Sequence, residues 1–307
     1  MPDGSEWPRV SIVTPSYNQG RFLEECIRSV LLQGYPNLEY IIIDGGSTDQ
    51  SVDIMKKYEP WLTYWISEPD RGQSIAINKG LEKSTGQYFN WQNADDILTS
   101  NSLSKTVSTI VSFPEASYVH GYRVIIDEQG NEVRNTRDSY GNKVILLSGM
   151  APIFDCLRAG CQPGCLMRKD YVQQAGMLDE NLHYTMDADL LIRLALVGPR
   201  VYVPHPVVFL RLHPEAKSCS SNKIRAGEKL AIVRKIFHDN HQPQSVMKFR
   251  KIAFSAAHQH AWQCYLESGK FLMAFCHFLL DLRYLPARRY RVKLCILRDF
   301  LRRKLKY

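Results

Sequence analysis

The sequence predicts an α/β fold: a mostly parallel sheet flanked by helices, followed by an α-helical, basic C-terminal extension. Three observations carry the prediction. Short apolar strands alternate with amphipathic helices through the first third of the chain, which is the pattern of a parallel sheet. The polar clusters fall where strands stop: Thr14-Pro15-Ser16-Tyr17-Asn18, Asp44-Gly45-Gly46-Ser47-Thr48-Asp49 and Asn93-Ala94-Asp95-Asp96. The excess positive charge is confined to the last 25 residues.

The 307 residues allow one large domain or a domain with an appendage. A 45% hydrophobic and 23% charged composition is that of a globular protein able to bury its own core. Eight cysteines are scattered; Cys161 and Cys165 are the only close pair, and no second pair supports a zinc site. With no signal peptide they read as reduced cytosolic thiols. The longest apolar run, Phe271 to Leu280, is too short to span a bilayer and contains His277. From Arg283 to Tyr307 there are ten Lys or Arg and one acid, Asp299, leaving 29 basic against 30 acidic residues elsewhere. That balance argues against a nucleic-acid face on the main domain and for a tail that meets an anionic surface.

Residues 1–9 read as a polar lead-in. Val10–Val13 is a short strand, and Thr14–Asn18 ends it as a turn. Phe22, Cys26, Val30 and Leu31 recur at helical spacing, so Arg21–Gln33 is an amphipathic helix, stopped by Gly34-Tyr35-Pro36. Leu38–Ile43 is a strand whose Tyr40–Ile43 run fits burial on both faces. Ser51–Tyr58 is a helix, Trp61–Ser67 a strand, Glu68–Gln73 a loop and Ser74–Ser84 a helix. Gly86 then turns the chain into Tyr88–Trp91, a buried strand that delivers Asn93, Asp95 and Asp96 to a strand's carboxyl end, where open α/β sheets bind ligands. Clustered oxygen ligands suit a hard cation such as Mg²⁺ or Mn²⁺ shared with phosphates. Alternatively, Asp95 or Asp96 could cap a following helix through Ser102–Ser112. There is no GxGxxG after the first strand and no GxxxxGK[ST] anywhere, so neither a dinucleotide oxidoreductase nor a P-loop enzyme is favoured.

VSIVTPSYNQGRFLEECIRSVLLQGYPNLEYIIIDGGSTDQS resembles the opening of family 2 glycosyltransferases, inverting enzymes of the GT-A, Rossmann-like fold. SEPDRGQSIAINKGLEKSTGQYFNWQNADDILTSNSL resembles their continuation through the metal motif, and the similarity covers about residues 9–215. It implies that Thr14, Pro15 and Tyr17 line the nucleobase and ribose pocket and that Asp44 binds the base, with Gly45-Gly46 letting the backbone approach. Many relatives carry Asp-Asp-Gly-Ser where this chain has Asp-Gly-Gly-Ser. Read without the resemblance, Asp44 could form an Asx turn. Asp70, Arg71 and Gly72 would face the diphosphate or sugar, and Asn78 would stabilise the loop. The Asp-x-Asp metal motif becomes Asn93-Ala94-Asp95; Asn supplies a carbonyl but no charge, so Asp95 is the expected main ligand of Mn²⁺ or Mg²⁺ and Asp96 its helper.

In the second half, Ser104–Phe113 closes the donor half as a helix. Tyr118–Asp127 and Glu132–Arg137 form a hairpin about 128–131, and Met150–Gly160 is a loop. Gln162–Arg168 resembles the family's acceptor-side strand and precedes the helix Lys169–Ala175. In HYTMDADLLIRLALVG, Leu190, Leu191, Leu194 and Ala195 make the buried face of a helix that Asp187 and Asp189 begin. Both acids suit capping. The resemblance makes Asp187 the general base, with Met186 where many relatives have Glu, and Asp189 the runner-up. Arg200–Val208 is a strand, and Arg211-Leu212-His213-Pro214 resembles a late motif whose His contacts metal or diphosphate.

Lys223–His238 reads as a helix, 241–244 as a linker, and Ala256–Glu267 with Lys270–Tyr284 as a helical hairpin broken at Gly269. His258 and His260 do not share a helix face, so no metal site is expected there. Pro286 starts a last helix whose stripe of Tyr290, Leu294, Leu297, Leu301 and Leu305 is flanked by Arg and Lys, fitting anionic lipid or packing on the catalytic domain, and less well nucleic acid. The expected organisation is a GT-A catalytic domain over 1–215, with donor half 9–113 and acceptor half 114–215, and a helical basic extension over 216–307.

The resulting expectation is a metal-assisted, inverting transfer from a nucleotide sugar, UDP-linked, to a hydroxyl of a glycan or lipid-linked saccharide, in envelope polysaccharide assembly. The setting would be the cytoplasm, peripheral to the membrane's inner face, with no nucleic-acid partner. Two other classes fit less well: a non-catalytic glycan- or partner-binding module on the same fold, which Asn93 and Met186 would allow, and a nucleotidyltransferase, which lacks its Gly-rich phosphate loop.

Overall fold

The computed structural model describes residues 1, 4–136, 141–149, 156, 162–217, 222–238, 244–284, 294, 297 and 298. Two compact units divide the chain, one of Met1–Cys156 with Gly160–Ser220, the other principally of Ser221–Tyr307.

The first unit is built on a ten-stranded sheet flanked by helices. Its first four neighbours, in spatial order, are β3 (Tyr64–Ser67), β2 (Leu38–Asp44), β1 (Val10–Ser16) and β4 (Tyr88–Trp91), all parallel. Helices α1 (Gly20–Leu31), α2 (Ser51–Tyr58) and α3 (Gln73–Lys83) are the crossovers. α3 lies tight on β1, because a Cβ on Gly80 would stand 2.4 Å from a Val13 methyl. Val10, Ile12, Leu23, Ile27, Tyr40 and Ile42 form the core between sheet and helices. Parallel strands end on one edge, so Ser16, Asp44 and Ser67 stand side by side in register.

Beyond β4 the sheet becomes mixed. β9 (Leu166–Arg168) pairs antiparallel with β4 and with β6 (Tyr118–Ile126). β6 runs parallel to β10 (Arg200–Arg211), and β5 (Ile97–Leu98) closes the order antiparallel to β10. β7 (Glu132–Asn135) and β8 (Ile145–Leu147) pair at the side with β6 and β10. α4 (Ser102–Val111), α5 (Lys169–Ala175) and α6 (Met186–Val197) complete this unit.

Several boundaries differ from the sequence reading; β10, for one, runs on to Arg211 instead of ending at Val208. β1 runs through Thr14-Pro15-Ser16 instead of stopping at Val13, because these residues continue the register with Ile42, Ile43 and Asp44. β3 begins at Tyr64, since Glu59–Trp61 is a turn of 3₁₀ helix. The helix after Asp96 does not start there: Ile97 and Leu98 form β5, and Asn101 precedes α4. Neither Asp95 nor Asp96 is its cap.

The second unit contains α7 (Asn222–His238), a short α8 (Gln244–Met247), α9 (Arg250–Glu267) and α10 (Phe271–Arg283). α9 and α10 form the expected hairpin, with Gly269 at φ +69° in the turn. Trp262, Ala274 and Phe278 pack between them, joined by Leu297. Asp281 is buried and accepts from Ser255 Oγ at 2.5 Å and Trp262 Nε1 at 3.3 Å. His258 Nδ1 meets His277 Nδ1 across the hairpin at 3.0 Å. Most of the last helix expected after Pro286, and most of the 150–160 loop, lie outside the described residues. Among the described residues no helix is long and apolar enough to cross a membrane.

Candidate active site

The carboxyl edge of β1, β2, β3 and β4 assembles the site, and each cluster there is fixed by hydrogen bonds that the sequence makes locally. Asp44 ends β2, fully buried. Its Oδ2 accepts from Gly46 N at 3.1 Å, Ser47 N at 2.8 Å and Ser67 Oγ at 2.7 Å, and its Oδ1 accepts from Ser47 Oγ at 2.5 Å. Three bonds fill Oδ2, while Oδ1 accepts one and keeps room for a further donor. Asp44 therefore forms the Asx-type turn that shapes the loop, whatever else it touches.

Gly45 leaves room for a second acid. A Cβ there would stand 3.0 Å from Asp70 Oδ2. Asp70 accepts from Gly72 N at 2.8 Å, yet burial, with the nearby charge of Asp44, holds its carboxyl above the usual range. Arg71, next in the loop, is exposed. Thr14 is buried, with Oγ1 3.0 Å from the Tyr40 hydroxyl; Pro15 is buried and Tyr17 is exposed. Asn18, at φ +51°, ties this edge to the Asp44 loop: its Oδ1 accepts from Thr48 N at 2.9 Å and its N–H donates to Ser47 Oγ at 2.7 Å.

The loop after β4 forms the second cluster. Asp96 is buried, accepting from Arg211 N at 3.0 Å through Oδ1 and from Asn93 Nδ2 at 3.0 Å through Oδ2. Burial, then the charge of Asp95, pushes its carboxyl up to about 8. Asp95 is only partly covered, and its Oδ2 lies 3.1 Å from His213 Nε2. The bond to Asp95 raises His213 above the ordinary imidazole value, and Glu215, 3.1 Å from Nδ1, adds to it. Arg211, buried, donates to the carbonyls of Asp95 at 3.2 Å and Glu128 at 2.8 Å, pairs with Glu25, and stacks its guanidinium 4.9 Å from the Phe22 ring. The end of β10 thereby braces the Asp95–Asp96 loop. The Cys26 thiol, which burial and then Asp96 hold well above the usual range, donates to Asn93 O at 3.3 Å.

A hydrogen-bonded chain runs outward from Asp96: Asn93 Oδ1 accepts from Gln73 Nε2 at 3.0 Å, and Gln73 Oε1 accepts from Lys217 Nζ at 3.0 Å. Sequence reasoning missed Gln73 and Lys217. Gln73 begins α3 after a Pro-Asp loop, a position that could have drawn notice, but its partners lie 20 and 144 residues away.

The loop before α6 is tied to α3. Asn78 binds both the N–H and the carbonyl of Leu178 at 3.0 Å and donates to Glu180 Oε1 at 3.1 Å, while Ser74 Oγ donates to Leu182 O at 3.2 Å. This loop leads into α6. Asp187, in its first turn, is partly exposed; Asp189 is fully buried and pairs with Arg193, whose guanidinium also caps the carbonyls of Ala175, Gly176 and Met177. No side chain caps α6 at Thr185. Asp189 is thus held in a buried ion pair, and Asp187 is the more exposed of the two acids. Among the described residues no group of three or more His, Cys, Asp and Glu is preassembled around a metal position.

Comparison with known proteins bears on this arrangement. The family model for Glycosyl transferase family 2 matches residues 11–176. An uncharacterised glycosyltransferase of Rickettsia conorii is 29% identical over 213 residues, 68% of this chain and 35% of the relative. The chain spans between 31% and 64% of the lengths of the rickettsial relatives it matches. S. aureus TarS 1-349 in complex with UDP-GlcNAc superposes with a TM-score of 0.70 at 16% identity, over 91% of this chain and 82% of that one. The mannosyltransferase PcManGT of Pyrobaculum calidifontis, in complex with GDP-Man and Mn²⁺, gives 0.64 at 17% identity, over 97% and 81%. Both likenesses are of fold, and it is the GT-A fold.

Proposed function

Since this chain belongs to glycosyl transferase family 2, we propose that it is an inverting glycosyltransferase, moving a sugar from a UDP-sugar to a hydroxyl of a glycan or lipid-linked saccharide. The observation that carries the reading is the division of labour among the acids. Asp44, Asp96 and Asp189 are buried and engaged in holding loops and helices, whereas Asp95 and Asp187 remain partly exposed at the carboxyl edge and on the acceptor side. In this reading Asp95 and Asp70 would face the donor and Asp187 the acceptor.

Thr14, Pro15 and Tyr17 would line the nucleobase pocket, with the Tyr17 ring free to stack. Asp44 would meet the base through the loop it shapes. Asp70 takes the space that an acid at position 45 would fill, and with Arg71 and Lys217 it would face the sugar and diphosphate. The residues fit a hard cation of the kind bound to PcManGT: Mg²⁺ or Mn²⁺ is commonly held by one or two carboxylates plus substrate phosphates, and Asp95 offers the carboxylate with the His213 imidazole beside it, while Asp96 and Asn93 fix the loop behind it. Bound there, the ion would act as a Lewis acid neutralising the departing diphosphate.

Asp187 performs the acid–base work. It accepts the acceptor hydroxyl proton as that oxygen attacks the anomeric carbon on the face opposite the nucleotide. The bond to the β-phosphate oxygen breaks, nucleoside diphosphate departs with the electron pair, and the configuration inverts without a covalent sugar–enzyme intermediate. Residues 286–307, rich in Lys and Arg, would hold the enzyme at an anionic membrane surface on the side where nucleotide sugars are made, as suits envelope polysaccharide assembly.

The test is a thermal-shift panel of nucleoside diphosphates and nucleotide sugars with Mn²⁺, with Mg²⁺ and with chelator, since a ligand of the native state raises Tm. A metal-dependent shift with uridine compounds is expected. No shift with any nucleotide would instead favour a binding module, and release of pyrophosphate during turnover would identify a nucleotidyltransferase.

A further inference from the structure

The second unit carries a surface that its fold does not use. The inner side of α10 is settled: Ala274 and Phe278 pack on Trp262, and Asp281 is buried against Ser255 and Trp262. The outer side presents Phe271, Leu272, Met273, Phe275 and Leu279, each between 43% and 76% exposed. Phe271, Phe275 and Leu279 stand one turn apart on a single row, with Leu272 beside them. Between Lys270 and Asp281 the only titratable groups are His277, turned toward His258, and the Cys276 thiol. The outer side therefore bears no charge. Five such side chains expose on the order of 500 Å² of apolar surface, the extent that marks an interaction site.

We infer that this face of α10 inserts into the headgroup–acyl boundary of an anionic membrane, laying the helix in the plane of the surface. Charge selects the occupant. The unit from Ser221 to Tyr307 contains nineteen Lys and Arg against five Asp and Glu, while the rest of the chain carries twenty against twenty-six. Two copies meeting through α10 would bring two strongly basic units together, which electrostatics opposes. An anionic lipid surface satisfies both the apolar face and the positive charge of the unit. Lys270 and Arg283 bracket the helix, where their stems can lie along apolar surface with their charges in the headgroups. Thirteen residues make a helix of about 20 Å, too short for a hydrocarbon core of about 30 Å, so it lies on the bilayer. An apolar face with flanking bases is the pattern of an interfacial helix. The inference rests on the reading of residues 286–307 for the sign of the lipid, and adds to that attraction the surface that enters it.

The test is co-sedimentation of the full chain with vesicles of phosphatidylcholine alone and of phosphatidylcholine with one-third phosphatidylglycerol. The wild type is expected to bind the anionic vesicles. Leu272→Glu and Phe275→Glu should each weaken that binding at least tenfold with an unchanged melting temperature, whereas Val133→Glu, at an exposed apolar residue of the first unit, should not. If Leu272→Glu and Phe275→Glu bind as the wild type does, lipid is held by charge alone and α10 is not the inserting face. If the wild type binds neither vesicle at low salt, the membrane reading itself fails. A concentration-dependent dimer in analytical ultracentrifugation that Phe275→Glu abolishes would assign the face to a second copy and overturn the lipid assignment. None of these outcomes depends on glycosyl transfer, which is measured separately with a soluble acceptor.

Discussion

The two units of this chain solve opposite problems. The first buries a few of its charges and uses them for geometry: Asp44, Asp96, Asp189 and Arg211 are all buried, each tied to named partners, so that a few polar groups can stay exposed in fixed places. The second, among its described residues, buries Lys229 and Asp281 and leaves a run of large apolar side chains exposed on α10. Positioning a proton acceptor needs neighbours that do not move, and a loose base loses the reach that general-base catalysis requires. Meeting a lipid surface needs only the right sign of charge and an uncovered apolar strip. The contrast teaches that the loss of one side chain should be felt very differently in the two units.

Asp187→Asn should break the first unit's chemistry most sharply. Donor binding by calorimetry is expected to survive while kcat falls about a thousandfold, within the range of a lost general base; full turnover would remove Asp187 from that role. Asp95→Ala comes next. Nucleotide binding in the presence of Mn²⁺ should weaken by roughly a hundredfold, and wild-type calorimetry would refute its place at the metal. Neither change should alter vesicle binding. Removing residues 286–307 should lower binding to anionic vesicles at least tenfold, since it subtracts nine Lys and Arg from the surface that meets them, with transfer to a soluble acceptor intact; unchanged co-sedimentation would favour a tail that packs on protein.

The smallest effect sharpens the comparison through pH. Burial, then the neighbouring His277, lowers His258 to about 4. Below the ordinary histidine value the unfolded chain takes up a proton that the folded hairpin refuses, so stability falls as pH drops from about 6.5 toward 4. Thermal melts followed at the second unit should lose roughly 3–6 °C over that window. His258→Gln should flatten the dependence, and an unchanged slope would show that the pair does not titrate as described.

Much of the first unit was legible because its signals are local. Tyr40–Ile43 could only be a strand buried on both sides, the acids after Trp91 sat where a parallel strand must end, and Ser51–Tyr58 and Lys169–Ala175 were read at their observed limits. Thr14-Pro15-Ser16 was not, because proline reads as a turn. Val13 O bonds Gln92 N on the β4 side, and Ser16 O bonds Gly45 N on the β2 side. Pro15 thus faces the side where the β4 ladder has already stopped, and its missing N–H costs no bond. The buried ion pair of Asp189 was equally invisible, since it depends on Arg193 reaching both Asp189 and the end of α5. The role of Asn78 needed a partner 100 residues away. The exposed side of α10 was hidden for another reason: Phe271–Leu280 is apolar all round, and which half is covered is decided by the packing of Ala274 and Phe278 on Trp262.

The notch at Gly45 has an evolutionary consequence. Its missing Cβ is what admits the Asp70 carboxylate, and two acids facing one another there would each resist ionisation. Positions 45 and 70 should therefore exchange as a pair across descendants of this scaffold: a lineage that gains an acid at 45 is expected to shorten or neutralise 70, and the double substitution should persist where either single one is purged.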